Sequence, residues 1–411
     1  MRLWTHGAVV ALATLFTIGE AKALDVFAAV IFSADSPEDP DPTQNGVLKI
    51  NVETGAVSTF IPESPATGFL YPTDVVVDAA TNRMYVSTLS GFIFHFDAIT
   101  GAPLDALLPG PPGAFAALPQ GEVMLGNGYN NLLLSGEGEV LAATAFGSIT
   151  PYNLTTGAAG TNLADALPYP SGMAYSPAGD LIVSVGDPFG GPGAIMQIGQ
   201  VTPLVAFGAD PGVRGASKPF VVYAPGDYNQ DGVVNEPDYD VWADAYATNN
   251  AAADGNFDGV VDAADYTVWK DSLGEEARMV VTDLNGNQLM QFDVDGSNGS
   301  QLAVIPPDIP DPLPPTASET APSNSPSELL VTPEGTYLVS TLGLTRRPDN
   351  RGALLEFDRN GNLLRTIAEG LPPISGIAFA PAAPVFTSVP EPSVVALAMI
   401  AMLGALSTRR V

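Results

Sequence analysis

The chain has 411 residues, 46% of them apolar, with 15 Lys+Arg against 45 Asp+Glu and a formal net charge of −30. That imbalance excludes nucleic acid and anionic lipid surfaces as partners, because both demand basic patches. It has no cysteine and only two histidines, His6 and His95, so disulfides, thiolate catalysis and Cys-ligated zinc are excluded as well.

In chain order, the first expected element is a leader. Arg2 supplies a positive start, Gly7 to Ile18 an apolar stretch, and Ala21-Lys22-Ala23 a small-x-small cleavage site. The apolar run is short for a membrane span, so residues 1–23 read as a cleaved signal peptide and the mature chain as exported.

From Leu24 to about Pro384 a phrase of about 40–50 residues recurs, the length of a four-stranded propeller blade. An opening residue, often Pro, starts a short apolar strand. A Gly/Asn turn, a second strand, a third strand and a polar turn follow. Such phrases start at Pro72, Leu132, Pro170 and Pro326. Val75 and Val77 alternate with Val76 and Asp78, the period of a strand, and Asn285-Gly286-Asn287 and Asn360-Gly361-Asn362 are hairpin turns.

The expected fold is mainly β, a six-bladed β-propeller; the competing arrangement is a pair of β-sandwiches. The first phrase, from Val26, lacks its opening strand, and Ile374–Pro381 is a surplus one. Pairing the two would close the ring and remove exposed edges. Gly110–Asn130 fall outside the register, and Asp35–Pro42 and Pro306–Pro326 read as exposed acidic or Pro/Ser/Thr-rich loops. In rhythm the phrases resemble NHL-type and gluconolactonase-like six-bladed propellers.

Two acidic loops interrupt the body between PFVVYA (Pro219–Ala224) and ARMVVTDLNGNQLMQFD (Ala277–Asp293), which read as strands of one blade; residues 226–274 are therefore an expected insertion. Counted from Asp227 and Asp254, each loop repeats one pattern of oxygen donors. Position 1 is Asp227 or Asp254, position 3 Asn229 or Asn256, and position 5 Asp231 or Asp258. A turn-permitting Gly232 or Gly259 follows, then Val233 or Val260, whose carbonyl is the expected seventh-position donor. Position 9 is Asn235 or Asp262, and position 12 is Asp238 or Asp265. Calcium takes six to eight such oxygens, so the expectation is two Ca2+ ions, one per loop. Short helices are expected over 238–246 and 265–273, with Val241, Trp242, Val268 and Trp269 as core and Gly274 as a stop.

This tandem of loop–helix units, each with the same D-Y-x-V-W exit, resembles a type I dockerin. The resemblance implies docking to a cohesin-like or other surface protein and a setting of extracellular polysaccharide degradation, with polysaccharide itself a further candidate partner. Positions 10 and 11 are Glu236-Pro237 and Ala263-Ala264, where well-studied dockerins carry a Ser-Thr-type pair.

At the end, Val389-Pro390-Glu391-Pro392-Ser393, an apolar run from Val394 to Leu406, and Arg409-Arg410 resemble a PEP-CTERM sorting tail. That resemblance implies a bacterial cell-surface or extracellular destination and contact with the membrane, through the tail, during sorting.

No GxSxG, HExxH or P-loop motif is present, and His95 alternates into an ordinary strand. A binding or assembly protein is the preferred reading. The alternative is a propeller enzyme, lactonase-like or a glycoside hydrolase, for which Asp74 and Glu328 are candidates that nothing in the sequence singles out.

Overall fold

The computed structural model describes residues 24–30, 46–64, 66–109, 111–117, 129–186, 191–210, 212–213, 217–250, 252–256, 260–306, 325–342 and 352–381. The expected leader, Asp35–Pro42, most of the Pro306–Pro326 segment, Asp258 and the expected sorting tail lie outside the described residues.

Antiparallel sheets follow one another along the chain. The first contains β1 (Asp25–Val30), β2 (Gly46–Asn51) and β3 (Val57–Pro62). The second is β4 (Pro72–Asp78), β5 (Arg83–Thr88), β6 (Phe92–Asp97) and β7 (Ala114–Ala117). The third is β8 (Tyr129–Ser135), β9 (Glu139–Thr144) and β10 (Ile149–Asn153), and the fourth β11 (Pro170–Tyr175), β12 (Leu181–Gly186) and β13 (Gly193–Gln197). The fifth is β14 (Ser217–Val222), β15 (Arg278–Asp283), β16 (Gln288–Asp293) and β17 (Ser300–Val304). The sixth is β18 (Pro326–Val331), β19 (Tyr337–Thr341), β20 (Gly352–Phe357) and β21 (Leu363–Leu371).

The last strand, β22 (Ile374–Phe379), returns to the first sheet, whose order is β22-β1-β2-β3. Strands β22, β4, β8, β11, β14 and β18 touch in that cyclic order, so each is the innermost strand of a blade. The fold is a six-bladed β-propeller.

Apolar side chains on both faces of each sheet explain the ring. A separate hydrophobic cluster fills every interface between neighbouring blades, for example Phe27, Val47, Met84 and Phe94 between the first and second. Val26, Leu48, Leu338 and Leu354 join the sixth to the first. Strand β12, buried along its whole length, shows the consequence in sequence: an unbroken LIVSVG run with few polar positions.

The turns after β2, β6 and β10 share one device. Asn51, Asp97 and Asn153 each accept, through Oδ1, from the backbone N–H of a Thr three residues on, at 2.8, 2.7 and 3.0 Å. Gly55, Gly101 and Gly157 follow with φ near +70°. A Cβ at Gly55 would stand 2.2 Å from the Ile367 carbonyl oxygen, and one at Gly157 2.3 Å from that of Phe115. Each turn therefore leans on the preceding blade, and only glycine lets it approach so closely.

The third and fourth blades depart from the four-stranded expectation. Among the described residues each has three strands, and the place of a fourth is taken by isolated bridges, Ile149 to Ala164, Tyr152 to Ala159 and Ile195 to Val205. Pro203, two residues before the bridged Val205, lacks the N–H that a continuous ladder needs there. Within Gly110–Asn130, Ala114–Ala117 form the outer strand of the second blade and Tyr129 opens the third, while 118–128 lie outside the described residues.

Ring closure is antiparallel, from Val26 opposite Phe379 to Val30 opposite Ile374. Deleting residues 374–381 removes the buried Ile374, Ile377 and Ala378 and bares the edge of β1. At ~1.5–3 kcal/mol per large buried side chain the loss is about 5 kcal/mol, or on the order of 10–20 °C in melting temperature. Circular dichroism should show the whole body melting earlier; a variant that melts like the parent would rule out this closure.

Candidate functional site

Two places gather acidic side chains. The first is the helical segment between β14 and β15, strands that pair directly from Ser217 opposite Asp283 to Val222 opposite Arg278. Helix α1 spans Glu236–Ala245 and α2 spans Ala263–Asp271. Both start two residues earlier than expected, because Asn235 and Asp262 are the N-caps and Pro237 sits in the first turn, where its missing N–H is harmless.

The two loops fold alike. Asp238 is fully buried; its Oδ1 accepts from Asn229 N at 3.0 Å and its Oδ2 from Asn235 N at 2.8 Å. Asp265, equally buried, accepts from Asn256 N at 3.1 Å and Asp262 N at 2.7 Å. Asp227 accepts from Asp231 N and Gly232 N at 3.1 and 2.9 Å, closing the first loop around Gly232 at φ +98°. The halves are cross-tied: Trp242 Nε1 donates to Asp262 O and Trp269 Nε1 to Asn235 O, both at 2.8 Å.

The donor set suits a hard, oxygen-seeking cation. Burial raises the Asp227 carboxyl above its ordinary range, and the neighbouring Asp238 and Asp231 carboxylates add to the rise. Burial, then Asp265, Asp238 and Asp254, likewise push up the Tyr228 hydroxyl, which donates to Asp265 O at 2.7 Å. Asn235 Oδ1 is buried without a hydrogen-bond partner. As the loops stand, however, the carboxylates face backbone amides, and among the described residues no three His, Cys, Asp or Glu side chains stand at ion-binding separations. Asp254, Asn256, Val260 and Asp262 belong to the second loop, while Asp258 lies outside the described residues. Val233 bridges to Glu276, anchoring the first loop to the chain entering β15.

The buried core of this segment is not the one expected. Tyr228, Ala245, Ala253 and Val261 form it, with Val241, Trp242 and Trp269 only half-buried against it. The large rings instead lie half-buried along the seam between the halves, where Tyr239 and Trp242 meet Tyr266 and Trp269.

The second place is the propeller axis. Asp74 on β4, Asn131 on β8, Lys218 on β14 and Glu328 on β18 are all buried. Lys218 Nζ donates to Glu328 Oε2 at 2.5 Å and to Ser375 O at 3.1 Å, and stands 3.9 Å from Asp74 Oδ1. Asp74 also accepts from Asn131 Nδ2 at 2.6 Å and from the backbone of Leu132 and Val75 at 2.8 and 2.9 Å.

Cross-strand register makes these positions equivalent. Asp74, Gly172, Lys218 and Glu328 lie opposite Ser87, Ser184, Thr282 and Ser340 on the next strand outward. The ring glycines make room: a Cβ at Gly172 would be 2.6 Å from Lys218 Cα, and one at Gly376 2.1 Å from Asp74 Oδ1. Asp74 and Glu328, undistinguished in sequence, are thus brought together around an internal cation that sequence reasoning missed.

Burial pushes Glu328 up to about 8, against the pull of Lys218 and with Asp74 adding to the rise. Burial also works against the Lys218 ammonium, but Asp74 and Glu328 outweigh it and raise its pKa. Because Glu328 is raised in the folded chain, its contribution to stability is complete below about 4.5 and is lost as pH rises through about 8. Denaturant titrations from pH 5 to 9 should show stability falling by up to about 1.4 kcal/mol per pH unit. Glu328→Gln should flatten that slope; an unchanged slope would assign it elsewhere.

His95 is structural, as its alternation into a strand implied. Its Nε2 is 2.8 Å from Asp105 O, its ring packs at 5.5 Å from Phe115, and burial lowers its pKa.

The chain matches no protein-family model and no curated protein at a significant level. Among solved structures it is similar to a chain of a nidogen/laminin complex, with 9% identity over 87% of this chain and 98% of that one and a TM-score of 0.48. A protein of unknown function from Bacteroides caccae gives 11% identity, 87% and 99% coverage and a TM-score of 0.48. The calcium-binding protein regucalcin from Agrobacterium tumefaciens gives 13% identity, 72% and 73% coverage and a TM-score of 0.40. At such identities these likenesses concern the fold and assign no function. No helix among the described residues is long and apolar enough to cross a membrane.

Proposed function

We propose that the chain is an exported, surface-sorted protein in which two calcium ions order a dockerin-like docking module carried on a six-bladed propeller. The module would join the chain to a cohesin-like or other surface protein, and the propeller would recognise protein or carbohydrate in extracellular polysaccharide degradation. One observation carries the reading: two loops 27 residues apart in register fold alike around the buried Asp238 and Asp265. Asp227, Asn229, Asp231, Asn235 and Asp238 would hold one ion, and Asp254, Asn256, Asp258, Asp262 and Asp265 the other, with the carbonyls of Val233 and Val260. A bound ion would relieve the repulsion among each loop's carboxylates.

The lactonase-like alternative has less behind it. It would need axial carboxylates free for a metal, and Lys218 engages both. Isothermal calorimetry on the chelator-stripped full chain tests the proposal, with two ions bound per chain as the expected result. No heat of binding at millimolar calcium would end it. Export is tested separately by mass spectrometry of the secreted protein, which should begin at Leu24 and end near Pro390-Glu391-Pro392.

A further inference from the structure

The two acidic loops are alike in sequence and fold but have different neighbours. The second is held by the module's own residues. Ala247 N donates to Val261 O at 2.8 Å and Val261 N to Thr248 O at 2.9 Å. Gly255 lies so close to Tyr228 that a Cβ there would stand 2.3 Å from the Tyr228 hydroxyl. The first loop is built into the seam between module and ring. Ala277 N donates to Gly232 O at 2.7 Å and Val234 N to Glu275 O at 2.9 Å, so this loop pairs with the segment that runs straight into β15. On its other side, a Cβ at Gly232 would stand 2.8 Å from the Pro177 ring, in the turn between β11 and β12 of the fourth blade.

Both necks of the module are tied to the sixth blade. The carbonyl of Tyr223, just after β14, accepts from Arg359 Nη2 at 2.5 Å. Arg278, which opens β15, donates through Nη2 to the Tyr337 hydroxyl and to Arg359 O, both at 2.6 Å. The first loop thus sits between the fourth blade and a strand anchored on the sixth. The module's buried cluster is made of module residues alone, so no shared apolar core sets its angle on the ring.

One side chain links the loop's interior to this seam. Asp227 Oδ2 accepts from Gly232 N at 2.9 Å, and Gly232 is the residue that meets both Ala277 and Pro177. Asp227, Asp231 and Asp238 gather in this loop, and like charges at short range push it open unless a cation lies among them.

We infer that calcium in the first loop locks the module onto the ring at one angle, and that calcium in the second loop does not. The inference rests on the calcium reading of the module and assigns one of its two ions a separate task. A partner docked on the module would face a fixed direction relative to the propeller where calcium is plentiful, and a variable one where it is scarce. The coupling is reciprocal: contacts that seat the first loop on the ring also favour calcium there.

The absence of cysteine gives a direct test. Asp244→Cys on α1 and Glu334→Cys in the turn between β18 and β19 carry spin labels at two exposed points of the chain from Leu24 onward. Double electron–electron resonance should give one narrow distance in millimolar calcium and a broad distribution after chelation. Adding Asp227→Ala should leave the distribution broad in both; adding Asp254→Ala should leave it narrow in calcium. Pro177→Gly/Arg359→Ala keeps every loop donor but removes the seat. It should broaden the distance in calcium and weaken one of two calorimetric calcium steps by about tenfold, leaving the other unchanged. Equal widths with and without calcium, in a chain that calorimetry shows to bind two ions, would overturn the lock alone. So would a narrow distance and two unchanged steps in the seat variant. A parent chain that takes up no calcium would bring down the calcium reading itself, and the lock with it.

Discussion

Calcium added to the chelator-stripped chain should change its tryptophan emission while leaving the propeller's circular dichroism nearly untouched. In a chain produced from Leu24, the only tryptophans are Trp242 and Trp269, so every photon reports on the module. The module's buried cluster is four side chains, Tyr228, Ala245, Ala253 and Val261, too little to hold some 50 residues unaided. An ion bound only by the folded form stabilises it by about 4 kcal/mol at a thousandfold excess over Kd.

Asp238→Ala and Asp265→Ala should each erase one of two calorimetric binding steps. They should also destabilise the module in chelator, because each frees two backbone amides that now have a buried acceptor, at ~1–3 kcal/mol per group. Asp238→Asn keeps one oxygen and should fall between. Emission identical in chelator and in calcium, with both steps intact in the alanine variants, would exclude these loops as the binding site.

Lys218→Met should be among the most destabilising single substitutions in the propeller. It removes the one ammonium facing two buried carboxyl groups, and breaking such a buried arrangement costs roughly 3–5 kcal/mol. The penalty should grow with pH. Lys218 pulls the Glu328 pKa down to about 8, so without it the buried carboxyl is driven higher still, and keeping it in the fold costs more as pH rises. Adding Glu328→Gln to Lys218→Met should recover much of the loss at pH 8.5 and little at pH 5.5. Urea midpoints of the three variants at both pH values decide the matter, and equal penalties at the two would mean the cluster does not govern stability as argued.

The propeller was legible in sequence because its rule is local. Each blade repeats an opening strand and a hairpin turn, the first three share an Asx-x-x-Thr-Gly turn, and even the surplus strand Ile374–Phe379 announced a ring needing closure. The paired loops were legible for the same reason: each repeat is written within twelve residues, and the two fold alike around Asp238 and Asp265. The axial cluster was not. Asp74 and Glu328 each lie two residues after a strand-opening Pro, as Gly172 does, so superposing the phrases would have put them on one ring. Lys218 follows Ser217 instead and Asn131 lies in a strand opened by Tyr129, so the phrase does not reach them. Their meeting depends on six-fold closure, a property of the whole chain. The module's core was misjudged for a related reason: D-Y-x-V-W places large rings on the helices but does not say which face meets the other half.

The closure has a geometric corollary for the two ends of the body. Ala380 N donates to Asp25 O at 2.9 Å, so the first and last strands of the ring stand side by side. Among its blades the ring has no privileged beginning; where the polypeptide starts is a matter of where the circle was cut. Linking Phe379 to Asp25 and reopening the circle at the exposed Gly136–Gly138 turn should yield the same propeller. In such a permuted chain, anything attached to the termini would hang from the third blade rather than the first. Whatever enters before Asp25 and whatever leaves after Phe379 are therefore moored, in the natural order, to one blade and one point on the rim.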